Sequence, residues 1–156
     1  MCNVPQLFLL LLQVNIDGAS RGNPGLSAIG IIVKDKEITI IEHSEYIGIK
    51  TNNQSEYEAL RRALEICNEI DSELTILSDS ELLINQRNLK YRIRNQELKI
   101  ISREITTLEK NFEKILYKHI PRERNNFADK LANKAIDEYI RETQKNRTNK
   151  SSYKQN

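Results

Sequence analysis

Leu7-Phe-Leu-Leu-Leu-Leu-Gln-Val-Asn-Ile-Asp-Gly-Ala-Ser-Arg-Gly-Asn-Pro-Gly25 is the stretch on which the fold turns. From Leu7 to Ile16 it is almost continuously apolar, the pattern of a strand covered on both faces. From Asp17 to Gly25 it carries three of the chain's five glycines and Pro24. A tight turn therefore follows at once, and Asp17 is predicted at a strand end. The run Leu7 to Leu12 is too short to span a bilayer and lacks the basic leader and small-residue cleavage site of a secretory signal. It reads as a buried strand.

Working outward, Ala28 to Val33 and Ile38 to Tyr46 are predicted strands, parted by the charged turn Lys34-Asp35-Lys36-Glu37, so the first three strands form an antiparallel meander. From Ser55 the period changes. Leu60, Ala63, Leu64 and Cys67 recur at helical spacing as far as about Ile70. Leu74 to Leu77 reads as a short strand leading to Asp79, followed by helices over Leu82 to Leu89 and Gln96 to Asn111. Ile115 to Ile120 is a fifth strand, broken by Pro121. Phe127 opens a last helix with Ala128, Leu131, Ala132 and Ala135 on one face. The fold class is α/β, a mixed five-stranded sheet with helices packed on it. The ordered domain is expected to span residues 1–141. Residues 142–156 are polar and basic without hydrophobic periodicity, and read as a flexible tail.

The 156 residues suit one domain, and 38% hydrophobic with 29% charged residues excludes both a disordered chain and a membrane protein. A net charge of +2, from 24 basic against 22 acidic residues, leaves any nucleic-acid footprint to local clusters. Cys2 and Cys67 make no disulfide framework, which points to a reducing, cytoplasmic setting. The expected protein is monomeric, with no membrane partner.

Four acids stand out by position. Asp17 and Asp79 follow apolar strands, where sites in α/β sheets are commonly built. Glu56 precedes Leu60, Ala63 and Cys67 by four, seven and eleven residues, so helical geometry turns it toward the core-facing side. Asp129 opens the last helix beside its apolar stripe. Each alone is as readily a helix cap or a partner of the helix dipole. Together they converge on one sheet edge, where carboxylates repel unless protonated or bridged, and all-oxygen donors favour Mg2+ or Mn2+.

These residues resemble the motifs of the ribonuclease H type 1 family. Asp17-Gly-Ala-Ser-Arg-Gly-Asn-Pro-Gly25 resembles its first-strand motif and Thr51-Asn-Asn-Gln-Ser-Glu-Tyr57 its second. Asp79-Ser80 and Asn126-Phe-Ala-Asp129 resemble the third and fourth, in register from about Val14 to Tyr139. The resemblance implies a sheet order of 3-2-1-4-5 and cleavage of the RNA strand of RNA–DNA hybrids to 5′-phosphate and 3′-hydroxyl ends. It also implies two divalent ions about 4 Å apart. By the same resemblance Asp17 bridges both ions, Glu56 and Asp79 complete the shell of one, and Asp129 holds the other. Asn23, Thr51, Asn52 and Asn53 are expected to touch the hybrid through phosphates and the 2′-hydroxyl. Gly18, Ser20 and Ser80, inside the same motifs, complete the expected substrate contacts.

The chain also departs from the family pattern. Glu81 stands where many members carry Gln, the extended basic protrusion is reduced to Lys90-Tyr91-Arg92-Ile93-Arg94, and the loop histidine that assists product release is missing. Arg122, just past Pro121, is the expected electrostatic helper near Asp129, whereas His119, within the fifth strand, is expected to be a packed or strand-edge residue with little freedom to shuttle protons. Competing readings are a binding module of the same fold without catalysis, a domain of a reverse transcriptase or larger nuclease, and a related metal nuclease acting on DNA junctions or double-stranded RNA.

Overall fold

The computed structural model describes residues 11–152. Five strands, β1 (Leu12–Gly22), β2 (Gly25–Asp35), β3 (Ile38–Lys50), β4 (Glu73–Ser78) and β5 (Lys114–His119), form one sheet in the order β3-β2-β1-β4-β5. The β1, β2 and β3 strands are antiparallel neighbours, whereas β4 runs parallel to both β1 and β5. Four helices flank the sheet: α1 (Asn52–Cys67), α2 (Glu81–Arg87), α3 (Gln96–Glu109) and α4 (Asn126–Ser152). The meander, the mixed sheet and the expected strand order are all present. The first part of the predicted strand, Leu7 to Leu10, lies outside the described residues.

Strand alternation explains how β1 serves two layers. Val14 and Ile16 are fully buried in the main core with Leu60, Ala63 and Leu64 of α1. On the other face, Ala19 packs against the smaller cluster of Ala28, Ala135 and Ile136 beneath α4. Asp17 belongs to this second set. Both layers come unusually close to the sheet, because glycine occupies the contact in β1 on one face and in β2 on the other. A Cβ on Gly18 would lie 2.3 Å from the carbonyl carbon of Ser55, and one on Gly30 would lie 2.0 Å from the carbonyl oxygen of Ala128. No side chain fits in either gap.

Two expectations are corrected. Asp17 is not at the end of its strand, because pairing with β2 continues to Gly22 opposite Gly25. What ends near Asp17 is the parallel partner, since the β1–β4 register runs only to Asn15 opposite Leu77. The predicted flexible tail is also helical over residues 142–152, where α4 continues past Arg141 to Ser152; residues 153–156 lie outside the described residues. Residues 144–150 are exposed, so this extension follows from propagation of an established helix through residues without Gly or Pro rather than from burial. Thr143 and Thr148 return hydroxyl hydrogen bonds to Tyr139 and Gln144 carbonyls at 2.8 and 2.9 Å. Lower down, α4 is fastened to β3 by the stacked rings of Tyr46 and Tyr139, 3.8 Å between centroids.

Candidate active site

The α1 helix starts with a capping box. The Thr51 hydroxyl accepts from the Gln54 N–H at 3.2 Å, and the Gln54 side chain accepts from the Thr51 N–H at 2.8 Å. The cap fixes the first turn over Gly18 and so delivers Glu56 to the edge of β1. On the opposite face, Gly30 admits the first turn of α4 and with it Asp129. β4 ends at Ser78 and delivers Asp79 from the neighbouring strand.

Carboxylate oxygens of Asp17, Glu56 and Asp79 lie within 4.8 Å of one another. They share a cleft of about 350 Å³ with Gly18, Ala19, Ser20, Asn52, Arg122, Asp129 and Asn133. All four acids expected from the sequence are brought together. Asp17 is 6% exposed, and its carboxyl is pushed up to about 8, first by burial and then by the charges of Asp79 and Asp129. Glu56 is raised well above the ordinary range, again by burial first and then by Asp17 and Asp79, against a hydrogen bond from the Gly18 backbone. Its Oε2 is sealed from solvent and has no hydrogen-bond partner.

A buried carboxylate oxygen without a donor costs free energy unless protonated or bound by a cation. Four carboxyls with no sulfur or imidazole among them suit a hard divalent ion with oxygen ligands. The residues present therefore fit such a metal.

The chain matches the reverse transcriptase-like family over residues 15–135. It is 36% identical over 127 residues to a ribonuclease HI of Halobacterium salinarum, covering 78% of this chain and 62% of that protein. It is 34% identical over 127 residues to a bifunctional protein of Mycobacterium tuberculosis, covering 80% of this chain and 35% of the relative. The chain thus spans less than two thirds of the length of these relatives. The crystal structure of LC11-RNase H1 in complex with an RNA/DNA hybrid superimposes with a TM-score of 0.80 at 38% identity, covering 83% of this chain and 99% of that one. The chain belongs to the ribonuclease H type 1 family. Membership implies dependence on a divalent metal, and the carboxyl cluster provides the donor set.

In this ribonuclease H domain the remaining expected residues fall into two groups. Gly18, Ser20 and Asn52 line the cleft. Asn23 sits at the β1–β2 tip and its side-chain oxygen accepts from the Asn52 N–H at 3.1 Å, tying the tip to the start of α1. Asn53 is exposed in the first turn of α1. Thr51 caps α1, and Ser80 caps α2 by accepting from the Leu83 N–H at 3.3 Å, so both have a structural task outside the cleft lining. Arg122 reaches the cleft, with a guanidinium nitrogen 3.9 Å from Asp129 Oδ1 and a side chain 79% exposed. Of the packed and strand-edge placements expected of His119, the strand-edge one is found. It is exposed where β5 ends, one ring nitrogen 3.3 Å from the Asp79 carbonyl oxygen.

Sequence reasoning missed two asparagines. Asn133 lines the cleft, and its amide donates to the Asp129 carbonyl at 3.0 Å and to Asp129 Oδ1 at 3.3 Å. Its spacing of one helical turn from Asp129 was a usable signal. Asn125 is 2% exposed and no periodicity marks it, because its partners come from two strands distant in sequence.

Proposed function

We propose that this chain is an endoribonuclease that hydrolyses the RNA strand of RNA–DNA hybrids, using two divalent ions and leaving 5′-phosphate and 3′-hydroxyl ends. The observation that carries this reading is the sealed, donorless Glu56 Oε2 within the Asp17, Glu56 and Asp79 cluster of a ribonuclease H fold. Asp17 stands between the other acids and is assigned to both ions, Glu56 and Asp79 to one, and Asp129 to the other. When bound, Mg2+ or Mn2+ supplies water activation and neutralises charge on the leaving oxygen.

The chain's own residues account for the rest. Asn52 and Ser20 at the cleft and Asn23 and Asn53 at its rim present short amides and hydroxyls to phosphate and 2′-hydroxyl oxygens, contacts that carry little base information. Cleavage is accordingly indifferent to sequence. Arg122, exposed and held only by one long contact, is free to place its charge against the scissile phosphate. It assists as a cation and does not accept a proton. Glu81 is exposed at the start of α2, and its charge repels phosphate on that side of the cleft. The catalytic unit is residues 1–141, with the α4 extension as a basic accessory. It acts as a monomer, and the free buried thiol of Cys67 suits a cytoplasmic setting. Among the described residues no helix is long and apolar enough to cross a membrane.

The test is one labelled sequence offered as RNA–DNA, RNA–RNA and DNA–DNA duplexes, each with Mg2+, Mn2+ or excess EDTA. Internal cuts in the hybrid RNA, absent in EDTA, are expected. Cutting that persists in chelator sinks the metal-dependent reading. Preferential cutting of duplex RNA would replace the hybrid with double-stranded RNA as substrate.

A further inference from the structure

Asn125 precedes α4 and is almost wholly buried. Its amide nitrogen donates to the Ile16 carbonyl at 2.8 Å, the peptide oxygen just before Asp17, and to Asp79 Oδ1 at 3.2 Å. Its side-chain oxygen accepts from the Asn15 amide of β1 at 3.1 Å. Its backbone carbonyl accepts from the Asp129 N–H at 3.1 Å, and its own N–H donates to the Arg122 carbonyl at 2.9 Å. One residue therefore touches Asp79 directly, the peptide leading into Asp17, and the backbone of Asp129.

The chemistry of the amide suits that place. Only a side chain with both a donor and an acceptor satisfies Asn15, the Ile16 carbonyl and a carboxylate at once. A hydrogen bond to one oxygen of Asp79 fixes the carboxyl rotamer and adds no charge to a cluster already crowded with negative groups. Groups that orient metal-binding carboxylates by hydrogen bonding commonly tune affinity about 10–100-fold.

We propose that Asn125 is the positioning residue of this site, setting the relative placement of Asp17, Asp79 and Asp129 and hence the affinity for divalent metal. The proposal rests on the metal-dependent reading above. Asn125 touches neither the substrate nor the reacting atoms. Its effect passes through the three acids.

Titration calorimetry of the intact chain with MnCl2 tests it, alongside circular dichroism and hybrid cleavage, for wild type, Asn125→Ala and Asn125→Asp. Both substitutions are expected to weaken Mn2+ binding about tenfold or more. In both, kcat falls while KM for the hybrid changes less than about twofold. Asn125→Asp preserves shape but exchanges the donor for a charged acceptor beside Asp79, so it is read together with Asn125→Ala, which removes the donor without adding charge. Ile105→Val, in the core away from the cleft, controls for general loosening and is expected to bind Mn2+ as wild type does. A measurement on the unaltered protein stands beside these, whatever the variants do on folding. Under Mg2+ titration the Asn125 side-chain amide resonance should shift with the midpoint seen for binding. Wild-type Mn2+ affinity in a folded Asn125→Ala, or an unmoved amide resonance on saturation, overturns the proposal. A wild-type chain that binds no Mn2+ overturns the metal-dependent reading instead, and this proposal with it.

Discussion

Asp17 and Gly30 are direct cross-strand partners in the β1–β2 ladder, so the acid at the centre of the cleft sits beside a position with no side chain. Cross-strand partners face the same side of a sheet, and the space left at Gly30 is filled by the Ala128 carbonyl of α4. That contact is what sets Asp129 next to Asp17.

Gly30→Ala is therefore expected to push the start of α4 from the sheet, because the atom in the way is backbone and cannot rotate aside. A loss of about 1–3 kcal/mol is expected from overpacking, with weaker metal binding through displacement of Asp129. Urea denaturation and Mn2+ calorimetry check both. Unchanged stability would show that α4 docks without this close approach.

Asp17→Asn removes a carboxyl whose pKa stands at about 8 in place of the ordinary 3.8. A raised folded-state value means that its contribution to stability is complete below about pH 4 and is lost as pH rises to about 8. In the metal-free protein the variant should gain on wild type across this window, by on the order of a few kcal/mol near its upper end. Cleavage should vanish while the fold stays intact. Denaturation at a series of pH values in EDTA reads the difference, and parallel curves for the two proteins would refute the shift.

Metal should stabilise the wild type by mass action, by about 2.7 kcal/mol when the free ion is a hundredfold above its dissociation constant. Glu56→Gln takes one charged ligand from the buried cluster and should lose most of that gain. In EDTA it should be no less stable than wild type, since the burial cost of a charged Glu56 is gone. Thermal melts with and without Mn2+ decide, and a full metal-induced shift in the variant would remove Glu56 from the ligand set.

Arg122→Ala is expected to lower turnover about tenfold or more, the scale of losing one electrostatic contact to the transition state. Its single ion pair is exposed and contributes little to stability. His119→Ala should leave stability within about 0.5 kcal/mol, as for other exposed positions, and turnover nearer to wild type. Single-turnover rates on the hybrid compare the two, and a larger loss for His119→Ala would exchange the roles.

Truncation after Arg141 removes Lys145, Arg147, Lys150 and Lys154. Hybrid affinity should fall modestly at low salt, and the slope of log affinity against log salt should flatten by about 1 or more. Equal slopes for the full and truncated chains would exclude a phosphate contact by the helical extension.

The sequence showed much of this site and missed some of it, for physical reasons. Glu56 was visible because helical spacing ties it to Leu60, Ala63 and Cys67, a local rule that needs no tertiary structure. His119 was legible only as packed or strand-edge, because a strand pattern does not say whether a neighbour covers it; β5 is the edge strand of the sheet and His119 its last residue. The α4 extension was read as flexible because apolar periodicity reports burial, whereas its helix propagates from a packed turn with its side chains in solvent. Asn125 gave no signal, since three of its contacts come from Asn15, Ile16 and Asp79.

By itself the sequence determined the order and type of the elements and the four acids, because alternation, helical period and turn chemistry act over a few residues. The tertiary structure decided how near those acids stand and in what state. Gly18 in β1 and Gly30 in β2 let two helices close on opposite faces of the sheet, and that closure buries Asp17 and leaves Glu56 Oε2 without a donor. Desolvation and like-charge repulsion depend on distances of a few ångströms between segments far apart in sequence. No local pattern encodes those distances.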